Sequence, residues 1–202
     1  PERFARGKDE PKASYINQDW NTTHPDNLKY CGGDFQGIIE KLDYLKSIGV
    51  GAIYLNPIHP SPSAHKYDVN DYFAVDPMFG DMAKFQELVK KAHEHDIKIV
   101  MDLVFNHCCF YNNLFQDVVK NGQKSPYYGW FFIDGDKPSW DKKNYLTFAD
   151  VRMMPKLNTN NAEVMEYLCK VGEYWLKEAD VDGYRLDVAF EVSHAFWRMF
   201  KS

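Results

Sequence analysis

The sequence lacks long hydrophobic segments. No run approaches the ~18 to 20 apolar residues of a membrane-spanning helix, and residues 1–5 lack the apolar core of a secretory signal peptide. No glycine-rich phosphate loop follows any predicted strand, which argues against a nucleotide-binding α/β enzyme. We therefore expect no membrane partner and no nucleotide cofactor.

Cysteine is also scarce, with four residues in a chain of 202. Two of them are adjacent and none has the spacing of a metal site; they are Cys31, Cys108, Cys109 and Cys169. A disulfide framework is not expected in a chain of this length. The pattern favours a reducing, cytoplasmic location.

Charge of one sign is not concentrated anywhere. The formal net charge is −5, and the acidic and basic residues are interleaved. The absence of a basic stripe argues against a nucleic-acid partner. The hydrophobic fraction of 45% supports one sizeable core.

The order of the predicted elements is helix–strand, three times over. The helices are predicted at 37–48, from the N-cap Asp81 through His95, and from a capping box of Asn160 and Glu163 to about Ala179. The strands are predicted at 51–56, 97–104 and 183–187. Each helix is predicted to have one apolar face, formed in turn by Ile38, Leu42, Leu45 and Ile48, by Phe85, Leu88, Val89 and Ala92, and by Val164, Leu168, Val171 and Trp175. Gly49 is predicted to cap the first helix. This alternation predicts a parallel sheet with right-handed crossovers, an α/β fold.

Polar side chains lie at or just past the end of each predicted strand, where parallel α/β folds build their active sites. The third strand is predicted to be buried, and in it Arg185 and Asp187 are two residues apart and share a face. An arginine within hydrogen-bonding distance would hold Asp187 ionised and oriented, which suits the nucleophile of a covalent glycosidase mechanism. A structural ion pair is the alternative.

A long insertion separates the second strand from the third helix. We divide the chain into 1–107, an insertion at 108–159 rich in aromatic residues, Asn and Asp, and a continuation at 160–202. An insertion of this size on a βα loop is usually functional, such as a lid or a small subdomain.

With these segments assembled, the chain resembles the α-amylase family of glycoside hydrolases from its first residue to Trp197. The matching motifs are Gly-Gly-Asp-Phe-Gln-Gly at 32–37, Lys-Tyr-Asp at 66–68, Asp-Leu-Val-Phe-Asn-His at 102–107 and Gly-Tyr-Arg-Leu-Asp at 183–187. Met-Pro-Lys-Leu-Asn at 154–158 resembles the neopullulanase, cyclomaltodextrinase and maltogenic-amylase branch. The resemblance implies a partial (β/α)8 barrel, about strands 2 to 4, with a subdomain inserted after the third strand.

The resemblance also implies a function, the retaining hydrolysis of α-glucans such as maltooligosaccharides, cyclodextrins, pullulan or starch. Asp187 would be the nucleophile, and Arg185 would orient it. His107 would hydrogen-bond a sugar hydroxyl and Tyr67 would stack on the same sugar. A buried, satisfied histidine and a core tyrosine are the alternatives for the last two.

Three further residues are implied to support substrate binding. Asp102 and Asn106 would hydrogen-bond around the site, a role that overlaps with that of structural polar residues at a strand end. For Asp68, a loop salt bridge or a turn cap is an equal alternative. A protein with an amylase-like scaffold and a purely binding role remains the competing interpretation, but such proteins tend to lose the nucleophile and its arginine.

Two local features depart from the branch. Phe190 stands where asparagine is usual, which leaves the preference for α-1,4 or α-1,6 bonds open. The branch often holds a structural Ca²⁺, but Arg6 and Lys8 occupy positions where oxygen ligands would be expected beside Gly33 and Asp34. Because Ca²⁺ takes ~6 to 8 oxygen ligands, we predict no calcium, no other metal and no cofactor here.

The family's acid/base Glu lies after the next strand and a further Asp two strands later, and neither strand is present. A complete barrel takes ~250 residues before insertions. We therefore expect a fragment of a catalytic domain that is inactive alone. Its open sheet edges are expected to favour self-association.

Overall fold

The computed structural model of the protein describes residues 1–8, 14–20, 26 and 28–201. They form two compact units, which we describe separately. The first consists of Pro1–Lys66, Phe73–Asp102 and Tyr174–Arg185, and the second of Tyr67–Tyr72, Leu103–Glu173 and Leu186–Ser202. None of the helices within the described ranges is both long enough and apolar enough to cross a membrane.

Three short strands form one sheet in the order β1 (Ala52–Leu55), β2 (Lys98–Leu103) and β3 (Gly183–Leu186). β1 pairs in parallel with β2. The N–H of Asp182 donates to the Ile99 carbonyl and that of Asp187 to the Leu103 carbonyl, both at 3.0 Å. Because the residue numbers rise together on both strands, β3 is also parallel to β2. The predicted parallel sheet is confirmed.

The third strand differs from its prediction in burial. We expected a buried strand, but the β3 residues are half-buried and Arg185 is exposed. β3 lies at one end of the three-stranded sheet, and within the described part of the chain it pairs on one side, with β2. Asp187 itself follows the strand and is buried.

The helix predicted at 37–48 is wrong as a single element, because it is two short helices. Asp34 caps α1 (Phe35–Ile39) by accepting the N–H of Gly37 at 2.7 Å. α2 (Leu42–Ser47) then begins after Lys41. The predicted cap at Gly49 is confirmed, since its φ of +86° is left-handed and its N–H donates to the Lys46 carbonyl at 3.0 Å.

The second predicted helix is α3 (Met82–Glu94), with Asp81 as its N-cap. The Asp81 carboxylate accepts the N–H of Lys84 at 2.8 Å. All four apolar residues predicted on one face are buried: Phe85, Leu88, Val89 and Ala92. The ring of Phe85 contacts those of Phe35 and Trp175, with centroids 5.1 and 5.8 Å away. This aromatic contact forms the centre of the first unit.

The third predicted helix, α5 (Ala162–Ala179), buries the expected stripe of Val164, Leu168, Val171 and Trp175. Its predicted capping residue was wrong by one position. The side chain of Asn161, rather than Asn160, accepts the N–H of Glu163 at 2.8 Å. The Glu163 carboxylate accepts the indole N–H of Trp130 instead of closing a capping box.

The second unit has little regular structure. Its helices include α4 (Asn113–Asn121), capped by Asn112, and α6 (His194–Lys201), whose Phe196 packs against Phe105 at 5.4 Å. Single-turn 3₁₀ helices occur at Gly122–Lys124, Tyr128–Trp130 and Ala189–Glu191, and Phe148–Asp150 forms a turn with left-handed backbone at Ala149. Isolated antiparallel bridges connect much of the remaining chain.

Candidate active site

The candidate residues fall into two groups, one in each unit. In the first unit, Asp102 near the end of β2 is fully buried. Its Oδ2 accepts a hydrogen bond from Arg185 Nη1 at 2.9 Å. The hydroxyl of Tyr54 on β1 donates to the same oxygen. The Asp102 carboxylate therefore connects side chains from all three strands.

Tyr54 was not singled out as a site residue by sequence reasoning. The Arg185 guanidinium lies 5.9 Å from the centroid of its ring. A cation over a tyrosine face is attracted by the ring quadrupole, so Tyr54 contacts both members of the ion pair. The contact joins residues far apart in the chain, and the only available signal was the position of Tyr54 near the end of a predicted strand.

In the second unit, the loop that follows β2 is held by a buried tyrosine. The Tyr72 hydroxyl lies 2.9 Å from the Val104 carbonyl oxygen and 2.8 Å from that of His107. Burial raises the pKa of Tyr72 well above its usual value, so the hydroxyl keeps its proton and remains a donor. This contact fixes the backbone that carries Asn106 and His107.

Asn106 and His107 are both buried. Asn106 Nδ2 lies 3.3 Å from His107 Nδ1. The Asn106 Oδ1 atom is buried and has no hydrogen-bond partner among the described residues. The ring of Phe148 stacks on the imidazole, with centroids 4.8 Å apart and planes within 8°. Sequence reasoning did not identify Phe148, which comes from the insertion.

A segment of the insertion, 153–158, pairs on both of its sides. On one side, the Leu157 N–H donates to the Asn106 carbonyl at 2.9 Å and the Cys108 N–H donates to the Pro155 carbonyl at 3.1 Å. On the other side, the Phe148 N–H donates to the Met154 carbonyl at 2.9 Å. The Met-Pro-Lys-Leu-Asn motif at 154–158 therefore lies between the loop that carries His107 and the extended residues that precede Phe148.

Asp187 begins a tightly held turn. Its N–H donates to Leu103, as described above, and its side chain is only slightly exposed. Val188 has φ +47° and ψ +39°, a left-handed conformation that β-branched residues rarely adopt. The indole N–H of Trp197 donates to the Ala189 carbonyl at 2.9 Å. Glu191 Oε2 lies 2.8 Å from Lys156 Nζ. Backbone and side-chain contacts thus hold the turn at several points.

Tyr67 and Asp68 also lie in the second unit. Tyr67 is half-buried and Asp68 is buried. The next residue, Val69, accepts the N–H of Cys109 at 2.8 Å. Burial raises the pKa of Cys109 to about 12, and the charge of Asp68 acts in the same direction. The adjacent thiol is therefore protonated at neutral pH.

Asp34, the residue considered as a calcium ligand, has backbone partners in the structure. Asp34 Oδ1 accepts two backbone N–H groups, from Gly37 at 2.7 Å and from Gly7 at 3.0 Å, and so acts as a helix cap. The N–H of Lys8 donates to Glu40. No cluster of three or more His, Cys, Asp or Glu side chains suited to a metal occurs in the described part of the chain. The prediction of no calcium stays a prediction.

Comparisons with known proteins place these observations in context. Residues 1–197 match the family model described as alpha amylase, catalytic domain. The chain is 50% identical to a cyclomaltodextrinase of Thermoanaerobacter pseudethanolicus, covering all of this chain and 35% of that protein. It is 48% identical to the intracellular maltogenic amylase of Bacillus subtilis, covering all of this chain and 34% of that one.

A solved structure matches the same length. It is the cyclic alpha-maltosyl-(1→6)-maltose hydrolase from Arthrobacter globiformis, with a TM-score of 0.92 and 36% identity, covering all of this chain and 45% of that one. The expected fold, part of a (β/α)8 barrel, is confirmed. The chain spans about a third of the length of the curated relatives it matches.

Proposed function

Because the chain belongs to the α-amylase catalytic-domain family, we propose that its residues form part of a retaining glycosidase site for α-glucans. The substrate class we propose is cyclodextrins and short maltooligosaccharides, since the relative with 50% identity is a cyclomaltodextrinase. The observation that carries the proposal is the placement of Asp187. It is a buried carboxylate directly after a parallel strand, on a turn fixed by named contacts.

Asp187 is proposed as the nucleophile that forms the glycosyl-enzyme intermediate. Arg185, two residues earlier, is proposed to orient it. The ion pair of Arg185 with Asp102 supports this role because it limits the orientations of the guanidinium. We propose that Asp102 acts through Arg185 and does not itself touch the sugar.

The sugar-binding roles are proposed for the second unit. His107 would hydrogen-bond a sugar hydroxyl, and Tyr67, which is half-buried, would stack on the sugar. Asn106 has a buried oxygen free to accept a hydrogen bond from a water or a hydroxyl. Asp68 is buried, and two residues later the Asn70 carbonyl accepts a hydrogen bond from Asn112 Nδ2. We propose that Asp68 supports these sugar-binding residues from this held loop.

A retaining mechanism needs a second carboxylic acid ~5 to 5.5 Å from the nucleophile. Glu191, the next acidic residue along the chain, pairs with Lys156 at 2.8 Å. Glu191 is thus engaged in an ion pair with a lysine of the insertion and is not placed as a separate catalytic acid. We therefore propose that catalysis needs an acid from outside these 202 residues, and that the chain alone does not turn substrate over.

The test is a hybrid enzyme in which this chain replaces the matching third of the Thermoanaerobacter cyclomaltodextrinase. We expect the hybrid to hydrolyse β-cyclodextrin with retention of the anomeric configuration. Asp187→Asn should lower kcat by at least about 10³-fold, because it removes the nucleophile. Asp180→Asn, at an exposed aspartate shortly before β3, is the control and should retain activity.

Other results would count against the proposal. A folded hybrid without activity, or an active Asp187→Asn hybrid, would contradict the function. Turnover by the chain alone, abolished by Asp187→Asn, would contradict only the statement that a further acid is required.

We also propose that the isolated chain self-associates with a second copy through the edge of β1. Among the residues that the structure describes, that strand pairs on one side only, and Ala52 and Tyr54 on it are exposed. Light scattering after size exclusion should report a dimer or larger species. Ala52→Lys should shift the mass toward the 23.6 kDa monomer, because a lysine on an edge strand disfavours pairing. A monomeric wild-type chain at high concentration would contradict this.

A cytoplasmic location is proposed on two grounds. All four cysteines are free, and a relative is described as intracellular. Cell fractionation of the full protein in its source organism tests the proposal, and recovery from the culture medium would contradict it.

A further inference from the structure

The insertion brings one aromatic ring against a candidate site residue, and the surrounding contacts suggest what that ring does. The backbone of His107 is already fixed on both sides. Its carbonyl oxygen lies 2.8 Å from the Tyr72 hydroxyl, and its neighbours Asn106 and Cys108 pair with the 155–157 segment. What these contacts leave undetermined is the rotation of the imidazole about its own side-chain bonds.

Phe148 restricts that rotation. Its ring is nearly parallel to the imidazole, at 8°, with the centroids 4.8 Å apart. Turning the imidazole out of this plane would drive its edge into the phenyl face and break the stack. Asn106 Nδ2 at 3.3 Å from Nδ1 limits the remaining in-plane positions.

Phe148 is itself held by a strained turn. Its N–H donates to the Met154 carbonyl at 2.9 Å, and its carbonyl accepts the N–H of Val151 at 2.9 Å. Between these bonds, Ala149 and Asp150 both have positive φ, +51° and +56°, although neither is glycine. Two consecutive left-handed residues of this kind are uncommon and persist only where the surroundings over-determine them. Both are exposed, so the strain is not compensated by burial of their own side chains.

We propose that Phe148 is a positioning residue, contributed by the insertion, that sets the orientation of the His107 imidazole for sugar binding. The proposal rests on the role of His107 in the proposed function. On this proposal the inserted segment orients a sugar-binding residue and does not only cover the site. The strained turn serves to place the Phe148 ring flat against the imidazole.

The first test measures the stack in the full chain by NMR with ¹³C-labelled histidine. The His107 ring signals, assigned by their loss in His107→Gln, should be shifted upfield by the phenyl ring current. Phe148→Leu should move them downfield, and Phe148→Tyr should leave them in place. Phe132→Leu is the matched control, since Phe132 is a half-buried phenylalanine of the same insertion.

The second test measures what the stack does in the hybrid enzyme described above. Phe148→Leu should lower kcat/KM for β-cyclodextrin by about tenfold, as expected for a misplaced binding group. Phe148→Tyr should restore activity to within a factor of about two, because it keeps the ring and hence the orientation. A general loss of folding would instead affect Phe148→Tyr and Phe132→Leu as well.

The outcomes separate the two levels of the proposal. His107 signals that do not move in Phe148→Leu, or a kcat/KM equal to that of the Phe132→Leu control, would overturn the positioning role. Failure of the proposed function has a different signature, namely that Asp187→Asn or His107→Gln leaves the hybrid fully active.

Discussion

At the scale of single residues, the most unusual backbone lies next to the proposed nucleophile. Val188 is left-handed, with φ +47° and ψ +39°. The β-branched side chain makes this conformation costly, at roughly 1 to 3 kcal/mol. Its carbonyl accepts the N–H of Glu191 at 3.0 Å, which closes the turn and maintains the strain. Strain of this kind next to Asp187 agrees with the proposal that its carboxylate is held in one orientation.

Replacing this valine should stabilise the chain while reducing function. Asn tolerates the left-handed region, so Val188→Asn should raise the free energy of unfolding by about 1 kcal/mol in urea titration. In the hybrid enzyme, kcat should fall because the turn that aims Asp187 is less constrained. Val50→Asn is the control, a half-buried valine without positive φ. Equal loss of stability in the two variants would show that Val188 is not strained.

The candidate residues could be located near strand ends from sequence because they cluster at the ends of apolar runs, and their roles stay predictions. Asp102, Asn106, His107, Arg185 and Asp187 all follow this pattern. The partners Tyr54 and Phe148 could not be named, because they lie 48 and 41 positions from Asp102 and His107. Such contacts depend on strand order and on the path of an irregular insertion, neither of which leaves a local periodicity.

At the scale of elements, hydrophobic periodicity predicted α3 and α5 well and misjudged the first helix. The apolar spacing from Ile38 to Ile48 continues across the break between α1 and α2, so it gives no sign of a boundary. Only Ile38 and Leu42 of that spacing are buried, whereas Ile48 is 58% exposed. The break is set by the Asp34 cap and by tertiary contacts of α1 with α3, which a local pattern does not encode.

The start of β3 is fastened to β2 by Asp182. Its carboxylate accepts hydrogen bonds from Lys98 Nζ at 2.7 Å and from the Ile99 N–H at 2.8 Å, and lies 2.7 Å from His93 Nε2. Burial alone would raise the pKa of Asp182, but these donors outweigh it and lower the pKa to about 2. The ionised carboxylate therefore stabilises the junction of α3, β2 and β3.

This predicts a defined acid sensitivity. Because the folded pKa of Asp182 is below the unfolded value of 3.8, its contribution is present above about pH 4 and is lost as the pH falls toward 2. Allowing for solvent screening at this exposed residue, Asp182→Asn should lose about 1 kcal/mol of unfolding free energy at pH 7. The difference from wild type should vanish near pH 2. The control is Asp180→Asn, two residues earlier in the chain, where the side chain is 91% exposed. An equal loss of stability in that variant would contradict the stabilising role of Asp182.

At the scale of the whole molecule, the order of helices and strands could be predicted from sequence, whereas the path of the insertion could not. Three helix–strand repeats predict a parallel sheet because each connecting helix returns the chain to the end of the sheet at which the previous strand began. The insertion resisted prediction because α4 is the one α-helix among its described residues, and the rest consists of short 3₁₀ turns and isolated bridges such as Ile133 with Tyr145. Pairings of single residues carry too little sequence pattern to be recognised in advance.

Global stability should depend on one buried charge in the first unit. Lys66 is 1% exposed, and its Nζ lies 2.7 Å from Asp76 Oδ2 and 3.2 Å from the Ser61 carbonyl oxygen. The amine also lies 5.3 Å from the centroid of the Tyr30 ring. Removing only one member of such a pair leaves an uncompensated charge in the core, which costs about 3 to 5 kcal/mol.

This loss of unfolding free energy corresponds to a shift in melting temperature that depends on the length of the chain. For a protein of about 200 residues each kcal/mol shifts Tm by roughly 2 to 4 °C, so Lys66→Met should lower Tm by about 6 to 20 °C. Lys66→Met combined with Asp76→Asn should recover part of the loss, because the orphaned carboxylate is gone. Lys91→Met, which removes an exposed pair with Glu94 at 2.9 Å, should change Tm by no more than about 2 °C.

If calorimetry gave the same small shift for Lys66→Met as for Lys91→Met, the buried pair would not govern the stability of the molecule. A double variant less stable than Lys66→Met alone would show instead that Asp76 stabilises the fold through its other contact, the N–H of Met78 at 2.9 Å.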